Sequence, residues 1–172
     1  MIRPATLKDV QQIAEIHVAS WQAAYPGLLP QKLLDNLSAE PRANWWRQAI
    51  AQNGRIKILV ATDEADNIQG FAAYSPSRDD DATEDTAEIQ AIYLAPTAWG
   101  KGYGRVLMNR ALEDIQAQGF TEVTLWVLKG NQRAITFYEK AGFNLENETK
   151  TEELGGALIT ELRYRRPIQT FL

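Results

Sequence analysis

Apolar residues recur at helical spacing in the first third of the chain and in short alternating runs thereafter. Val10, Ile13, Ala14, His17 and Trp21 fall on one helical face. Thr6 three residues ahead of Asp9 supplies a capping box at its start, and Pro26-Gly27 ends it. Two shorter helices are predicted over Pro30 to Leu37 and Ala43 to Gln52, the second carrying Trp45, Trp46 and Ile50. "RIKILVAT" and "IQGFAAYS" then read as strands of a hairpin around Asp66-Asn67, and "SRDDDATEDT" as an acidic loop that solvent covers. "AEIQAIYLA" is strand-like, Val106 to Gln116 is helical, and "EVTLWVL" is strand-like again, which makes a strand-helix-strand unit. Gln132 to Ala141 is a helix closed by Gly142, and "GFNLENETK" with "ALITELRYR" form a last hairpin around Gly155-Gly156. The mixture predicts an α/β (α+β mixed) class. The 172 residues, without repeat or linker, are read as a single domain, 1–172.

Gly100, Gly102 and Gly104 stand at every second position just before a helix. The first amides of a helix lack internal partners and its dipole favours negative charge, so an anion is the expected ligand. Lys101 is followed by Gly102, which does not satisfy the P-loop pattern, and support for ATP hydrolysis falls away. The dinucleotide pattern fails as well, because the third glycine falls at 104 where 105 is required and no βαβ unit opens the chain. A plain tight turn remains the bland alternative.

Composition narrows the partners. Lys and Arg number 18 against 22 Asp and Glu, a net charge of −4 that disfavours nucleic acid. There is no cysteine and a single histidine, His17, so thiolate and histidine-rich metal sites are excluded and no metal is expected. No apolar run approaches the roughly 20 residues needed to span a bilayer, and the first residues lack a signal-peptide core; the expectation is a cytoplasmic protein without membrane partners.

The order "AEIQAIYLAPTAWGKGYGRVLMNRAL", then "VTLWVL", then "NQRAITFYEKAGF" resembles the GCN5-related N-acetyltransferase (GNAT) family, and the opening "IRPATLKDVQQIAEIHVASW" is similar to the family's first strand and helix. The resemblance implies a central mixed sheet of six or seven strands, splayed in the middle and flanked by helices, with acetyl-CoA (CoA as product) entering the split. The family pattern [QR]-x-x-G-x-[GA] is met by Gly102 and Gly104, whereas Trp99 stands where Gln or Arg is expected. By resemblance, backbone groups of Ile92, Tyr93 and Leu94 meet the thioester and pantetheine. The loop of Trp99, Gly100, Lys101, Gly102, Tyr103, Gly104 and Arg105 then holds the pyrophosphate. The same resemblance gives Asn131 to the pantetheine arm and Tyr138 to the sulfur as general acid.

The residues themselves leave several of these roles open. Asn131 and Tyr138 are seven apart, about 700° of helix rotation, hence on nearly one face. Asn131 is equally a helix N-cap, and the alternative for Tyr138 is a residue that merely packs beside Phe137. A phenol of pKa about 10 is suited to protonating a leaving thiolate. Glu88 is the candidate base: it lies on the strand of Ile92 at an even offset, hence on the same face, about 13 Å back. The alternative is a solvated Glu continuing the acidic loop. Trp21 and Tyr25, with Trp45 and Trp46, either line the acceptor pocket or fill the core, and His17 reads as a core residue before a substrate ligand.

The reading is an acetyl-CoA-dependent N-acetyltransferase acting by direct attack in a ternary complex on a primary amine of a small molecule, an amino acid or a protein N-terminus. Its rivals are a CoA-binding sensor or interaction module without catalysis and a nicotinamide-dependent oxidoreductase. Monomer and homodimer both stand, the terminal "PIQTFL" offering apolar positions for a second subunit.

Overall fold

A computed structural model describes residues 1–52 and 54–169. Strand β1 (Ile2–Pro4) passes through a 3-10 turn (Leu7–Asp9) into helix α1 (Val10–Ala24), followed by α2 (Gln31–Asp35) and α3 (Ala39–Ala51). Then come β2 (Lys57–Thr62), β3 (Ile68–Pro76), β4 (Thr86–Leu94), α4 (Tyr103–Ala117), β5 (Glu122–Leu128), α5 (Gln132–Lys140), β6 (Asn144–Leu154) and β7 (Ala157–Pro167). The seven strands form one sheet in the order β1-β2-β3-β4-β5-β7-β6, antiparallel except where β4 meets β5. One face packs against α1 and α3 through Ile13, Trp46, Val60 and Phe71; the other packs against α4 and α5 through Leu107, Met108, Leu125 and Ile135. The expected mixed sheet flanked by helices is present with its full seven strands.

Local chemistry explains where elements begin. Asp9 accepts from the Thr6 amide at 2.7 Å and from both terminal nitrogens of Arg3 at 2.8 and 3.0 Å, so the corner between β1 and α1 is clamped by one carboxylate. Helix α3 starts four residues earlier than the apolar pattern indicates. Ser38 Oγ accepts from the Glu40 amide, and Pro41 lies in the first turn, where a missing N–H costs no helical bond. Helix α4 likewise starts at Tyr103, ahead of the expected Val106, because the apolar stripe begins only with its second turn.

Two irregularities position the site. The parallel pairing of β4 with β5 covers only Thr86–Ile89 against Glu122–Leu125, after which β4 follows β3 and β5 follows β7. The expected split in the sheet opens between Gln90–Leu94 and Trp126–Leu128. The second irregularity is a β-bulge: Ala73 pairs with Ala91 and Tyr74 with Ile89, leaving Gln90 as an extra residue. An extra residue reverses the alternation of faces. Ile89 and Ile92 therefore share the α4 face, whereas Glu88 lies on the opposite face with Ala91 and Tyr93. The even-offset argument that put Glu88 on the face of Ile92 is corrected by this bulge.

Of the C-terminal "PIQTFL", Ile168 is buried against the α4 side of the core and its amide donates to the Thr121 carbonyl at 2.7 Å, so it is not an open apolar position. Thr170, Phe171 and Leu172 lie outside the described residues. Among the described residues no helix is long and apolar enough to cross a membrane.

Candidate active site

A cavity of about 680 Å³ passes through the split, within the usual range for small-molecule and cofactor sites. Because it runs through the sheet, it is walled by both faces. Ile92, Leu94, Gly104, Phe137 and Tyr138 line it from the α4–α5 side, and Trp21, Tyr25, Glu88, Tyr93, Trp126 and Glu161 from the α1 side.

The α4–α5 side is built from backbone. Gly102 caps α4 with φ 90°, and Gly100 has φ 76°, both in the left-handed region that glycine enters without a Cβ penalty. The Val106 amide donates to the Gly102 carbonyl, so the amides of Tyr103, Gly104 and Arg105 precede the first bond of the helix and remain available at its positive end. Gly104 has a different reason to be glycine. It lies inside α4, buried, where a Cβ would stand 3.3 Å from the Phe137 ring, so its bareness serves helix packing rather than loop freedom. Gly100, Gly102, Gly104 and Arg105 line the cavity; Lys101 is exposed, and Tyr103 packs into the α4 core. Neither of these two lines the cavity.

Trp99 supplies no polar side chain toward the loop. Its indole nitrogen donates to the Leu94 carbonyl at 3.3 Å, closing the turn between β4 and α4. Arg133, in the first turn of α5, lies over the Trp99 ring with its guanidinium carbon 3.5 Å from the centroid. Both line the cavity. A cation thus reaches the glycine loop from another helix, a feature missed in the sequence because the stack joins positions 34 residues apart.

Asn131 caps α5, its Oδ1 accepting from the Ala134 amide at 3.4 Å, and it also lines the cavity. Its two readings are geometrically compatible. Tyr138, two turns on, lines the cavity half-buried among Phe137 and Phe143, and burial pushes its phenol well above the ordinary tyrosine range. Such a phenol keeps its proton at neutral pH.

The α1 side is built from side chains of many elements. Trp21 and Tyr25 do line the cavity, edge to face at 5.2 Å between ring centroids. Trp46 instead belongs to the core and Trp45 is half exposed. Trp46 Nε1 donates to His17 Nδ1 at 3.2 Å, and the His17 ring stacks on Tyr93 at 5.0 Å. Burial, aided by Arg42, lowers the His17 pKa to about 3, so this histidine is a neutral core residue supporting the Tyr93 wall.

Glu88 is 2% exposed and lines the cavity, yet its carboxylate is engaged: Arg78 donates through Nη2 at 2.6 Å and through its backbone amide at 3.1 Å. The acidic loop is not simply solvated. Asp79 is buried and accepts from Trp126 Nε1 at 3.0 Å and from Arg163 at 3.3 Å, while Arg163 also grips Asp81 through two bonds of 2.8 Å. Lys150 reaches Asp79 at 3.4 Å and lies 4.0 Å over Trp126. The loop is thereby pinned across β5, β7 and β6 beside the cavity. Glu161, from the middle of β7, was not singled out by sequence. It has no motif around it, and only its register opposite Leu128 and Lys150 brings it to the split.

Comparison with known proteins agrees with this geometry. The model described as the acetyltransferase (GNAT) family matches residues 10–143. An uncharacterized N-acetyltransferase of Bacillus subtilis, YuaI, is 31% identical over 138 residues, covering 80% of this chain and 76% of the relative. A spermidine N(1)-acetyltransferase of Thermoplasma acidophilum is 23% identical over 95% of this chain and 96% of its own. Among solved structures, a PaiA N-acetyltransferase of Thermoplasma acidophilum in complex with coenzyme A has a TM-score of 0.79 at 22% identity, covering 97% of this chain and 98% of that one. A phosphinothricin acetyltransferase of Sinorhizobium meliloti in complex with acetyl-CoA has a TM-score of 0.73 at 26% identity, covering 98% and 88%.

Proposed function

Since the chain belongs to the GNAT acetyltransferase family and is by that membership an acetyl-CoA-dependent N-acetyltransferase, we propose that it acetylates the primary amine of a small molecule by direct attack in a ternary complex. The observation that carries the reading is the through-sheet cavity, which joins an anion-receptive helix start to a wall of carboxylates and aromatic rings. Relatives whose names specify small amines, such as the spermidine enzyme, support the acceptor class.

The residues fit the cofactor. The amides ahead of Val106 and the left-handed glycines suit a pyrophosphate, Arg133 on Trp99 adds a cation beside it, and the unpaired edge of β4 over Ile92–Leu94 suits an extended amide-bearing arm. Asn131 faces the same channel. Acetyl-CoA, when bound, supplies the activated acetyl thioester. Tyr138, protonated at neutral pH, serves as the acid that donates to the departing sulfur. Trp21, Tyr25 and Tyr93 wall the acceptor end and exclude water from the amine.

The test is ligand-dependent melting followed by turnover. Acetyl-CoA or CoA at 100 times its dissociation constant adds about 2.7 kcal/mol of stability, and NADH and ATP serve as controls. A shift with both CoA species, then thiol release with spermidine or another small primary amine, is the expected result. Response to NADH alone would overturn the cofactor, and turnover only with peptide N-termini would overturn the acceptor class.

A further inference from the structure

Deprotonation of the acceptor needs a carboxylate with a free face. Glu88, the candidate by sequence, accepts from Arg78 through side chain and backbone, which occupies both oxygens. Glu161 differs on each count. It is half-buried, lines the same cavity, and has no hydrogen bond or ion pair in the structure among the described residues. Its directly opposed neighbour on β6, Lys150, is committed to Asp79 and to the face of Trp126, and the nearby Arg78 is committed to Glu88. A carboxylate held in a ligand cavity with every neighbouring cation spoken for is an open cation site. Its surroundings are otherwise aromatic: Tyr25 from the end of α1 and Tyr93 from β4 face it, and Tyr138 lies across the split. Burial first, and then the negative charge of Glu152, raise the Glu161 carboxyl above the ordinary glutamate range, with Lys150 and Arg78 opposing and Glu88 adding to the effect. That direction moves it toward the neutral-pH region where a general base works best.

We propose that Glu161 is the catalytic base of the transfer: it binds the acceptor's primary ammonium in the cavity and takes its proton. The proposal rests on the acetyltransferase reading above. The ammonium gives one proton to the Glu161 carboxylate and becomes a neutral amine. As the nitrogen–carbonyl bond forms and the carbon–sulfur bond breaks, Tyr138 gives its proton to the sulfur and recovers one from the nitrogen. Glu161 then releases its proton to water at the cavity mouth. With Glu152 also uncompensated at that end, the preferred acceptors are cationic amines without a carboxylate near the reacting nitrogen.

The experiment compares wild type, Glu161→Gln and Glu161→Asp with spermidine, n-propylamine and phenethylamine, following thiol release from pH 5 to 10 and the melting shift with acetyl-CoA. The expected wild-type kcat/KM falls with acid below a carboxylate pKa raised above its ordinary value. Glu161→Gln loses that limb and drops kcat by roughly 10² to 10⁴ at pH 7. Its deficit shrinks toward the pKa of the amine, and it keeps the acetyl-CoA shift. Glu161→Asp retains a displaced limb. A Gln variant with wild-type rate and profile overturns the proposal, as does wild-type inactivity on all three amines while the acetyl-CoA shift persists. If the Gln variant loses the shift through misfolding, the wild-type acid limb and its displacement in the Asp variant decide; their absence overturns it. No acetyl-CoA shift in the wild type fails the underlying acetyltransferase reading instead.

Discussion

The two halves of the cavity are made from different materials. The α4–α5 half presents main-chain amides, two left-handed glycines and a helix start, within one stretch from β4 to α4 and the following α5. The α1 half presents rings and carboxylates drawn from α1, the loop before β4, β4 itself, β5, β6 and β7. The contrast suggests a division of labour. Main-chain groups recognise a shape and a phosphate that never change, and they tolerate replacement of side chains such as Trp99. On the proposed reading the side chains meet the acceptor, so their substitution should retune the acceptor without disturbing the donor.

The sharpest way to break this contrast is at Tyr138, the side chain proposed as the acid of the donor half. Tyr138→Phe is expected to lower kcat by about 10² to 10⁴ while the acetyl-CoA melting shift is retained; a CoA-binding module without catalysis would have no turnover to lose. Next in size is the support behind the acceptor wall. His17 is neutral when folded, its pKa lowered by burial to about 3 from the ordinary 6.5, so unfolding takes up a proton between those limits. Stability is therefore complete above about pH 6.5 and falls by roughly a few kcal/mol as pH drops toward 3. Chemical denaturation of wild type and His17→Gln across that range checks it, and equal pH slopes in the two would contradict the assignment.

Gly102→Val should weaken acetyl-CoA binding by about tenfold or more. The Cβ of residue 102 meets no atom within 4 Å, so the penalty comes from the left-handed φ of 90°, worth about 1–2 kcal/mol or more for a branched residue, rather than from crowding. Isothermal titration measures it. Asp79→Ala leaves Trp126 Nε1 and one contact of Arg163 without an acceptor, at a cost of about 1–3 kcal/mol in stability; its KM for amine should rise while CoA affinity holds. The smallest effect is expected from Arg133→Ala, about tenfold or less in CoA affinity and diminished by salt. An unchanged affinity would mean that the amides alone suffice.

The same division accounts for what could be read from the chain. The glycine loop, the start of α4 and the Asn131–Tyr138 pair are contiguous, so spacing and family pattern point to them directly, as does the alternation that yields β2, β3 and β5. Side chains gathered by long-range pairing carry no such signature. Glu161 reaches the split only through the register of β7 against β5 and β6, and Asp79 is buried only because Arg163 and Trp126 lie beneath its loop. Glu88 was visible as a residue but not as to its side of the sheet, since an extra residue in a strand leaves no mark in the hydrophobic pattern. The aromatic cluster of the first helices divided for a similar reason: Trp21 and Tyr25 lie at the cavity, whereas Trp46 turns inward to His17.

The bulge at Gln90 works as a phase shifter. Upstream of it β4 sends even positions toward α1, and downstream it sends odd ones, so a single strand delivers Glu88 and Tyr93 to one partner and Ile92 to the other. Ordinary pairing of that extra residue, without the bulge, would slip one half of β4 by one position and send Glu88 to the α4 side or Ile92 to the α1 side. Its removal, by contrast, would make Tyr74–Ile89 and Ala73–Ala91 consecutive pairs and leave every face as it is.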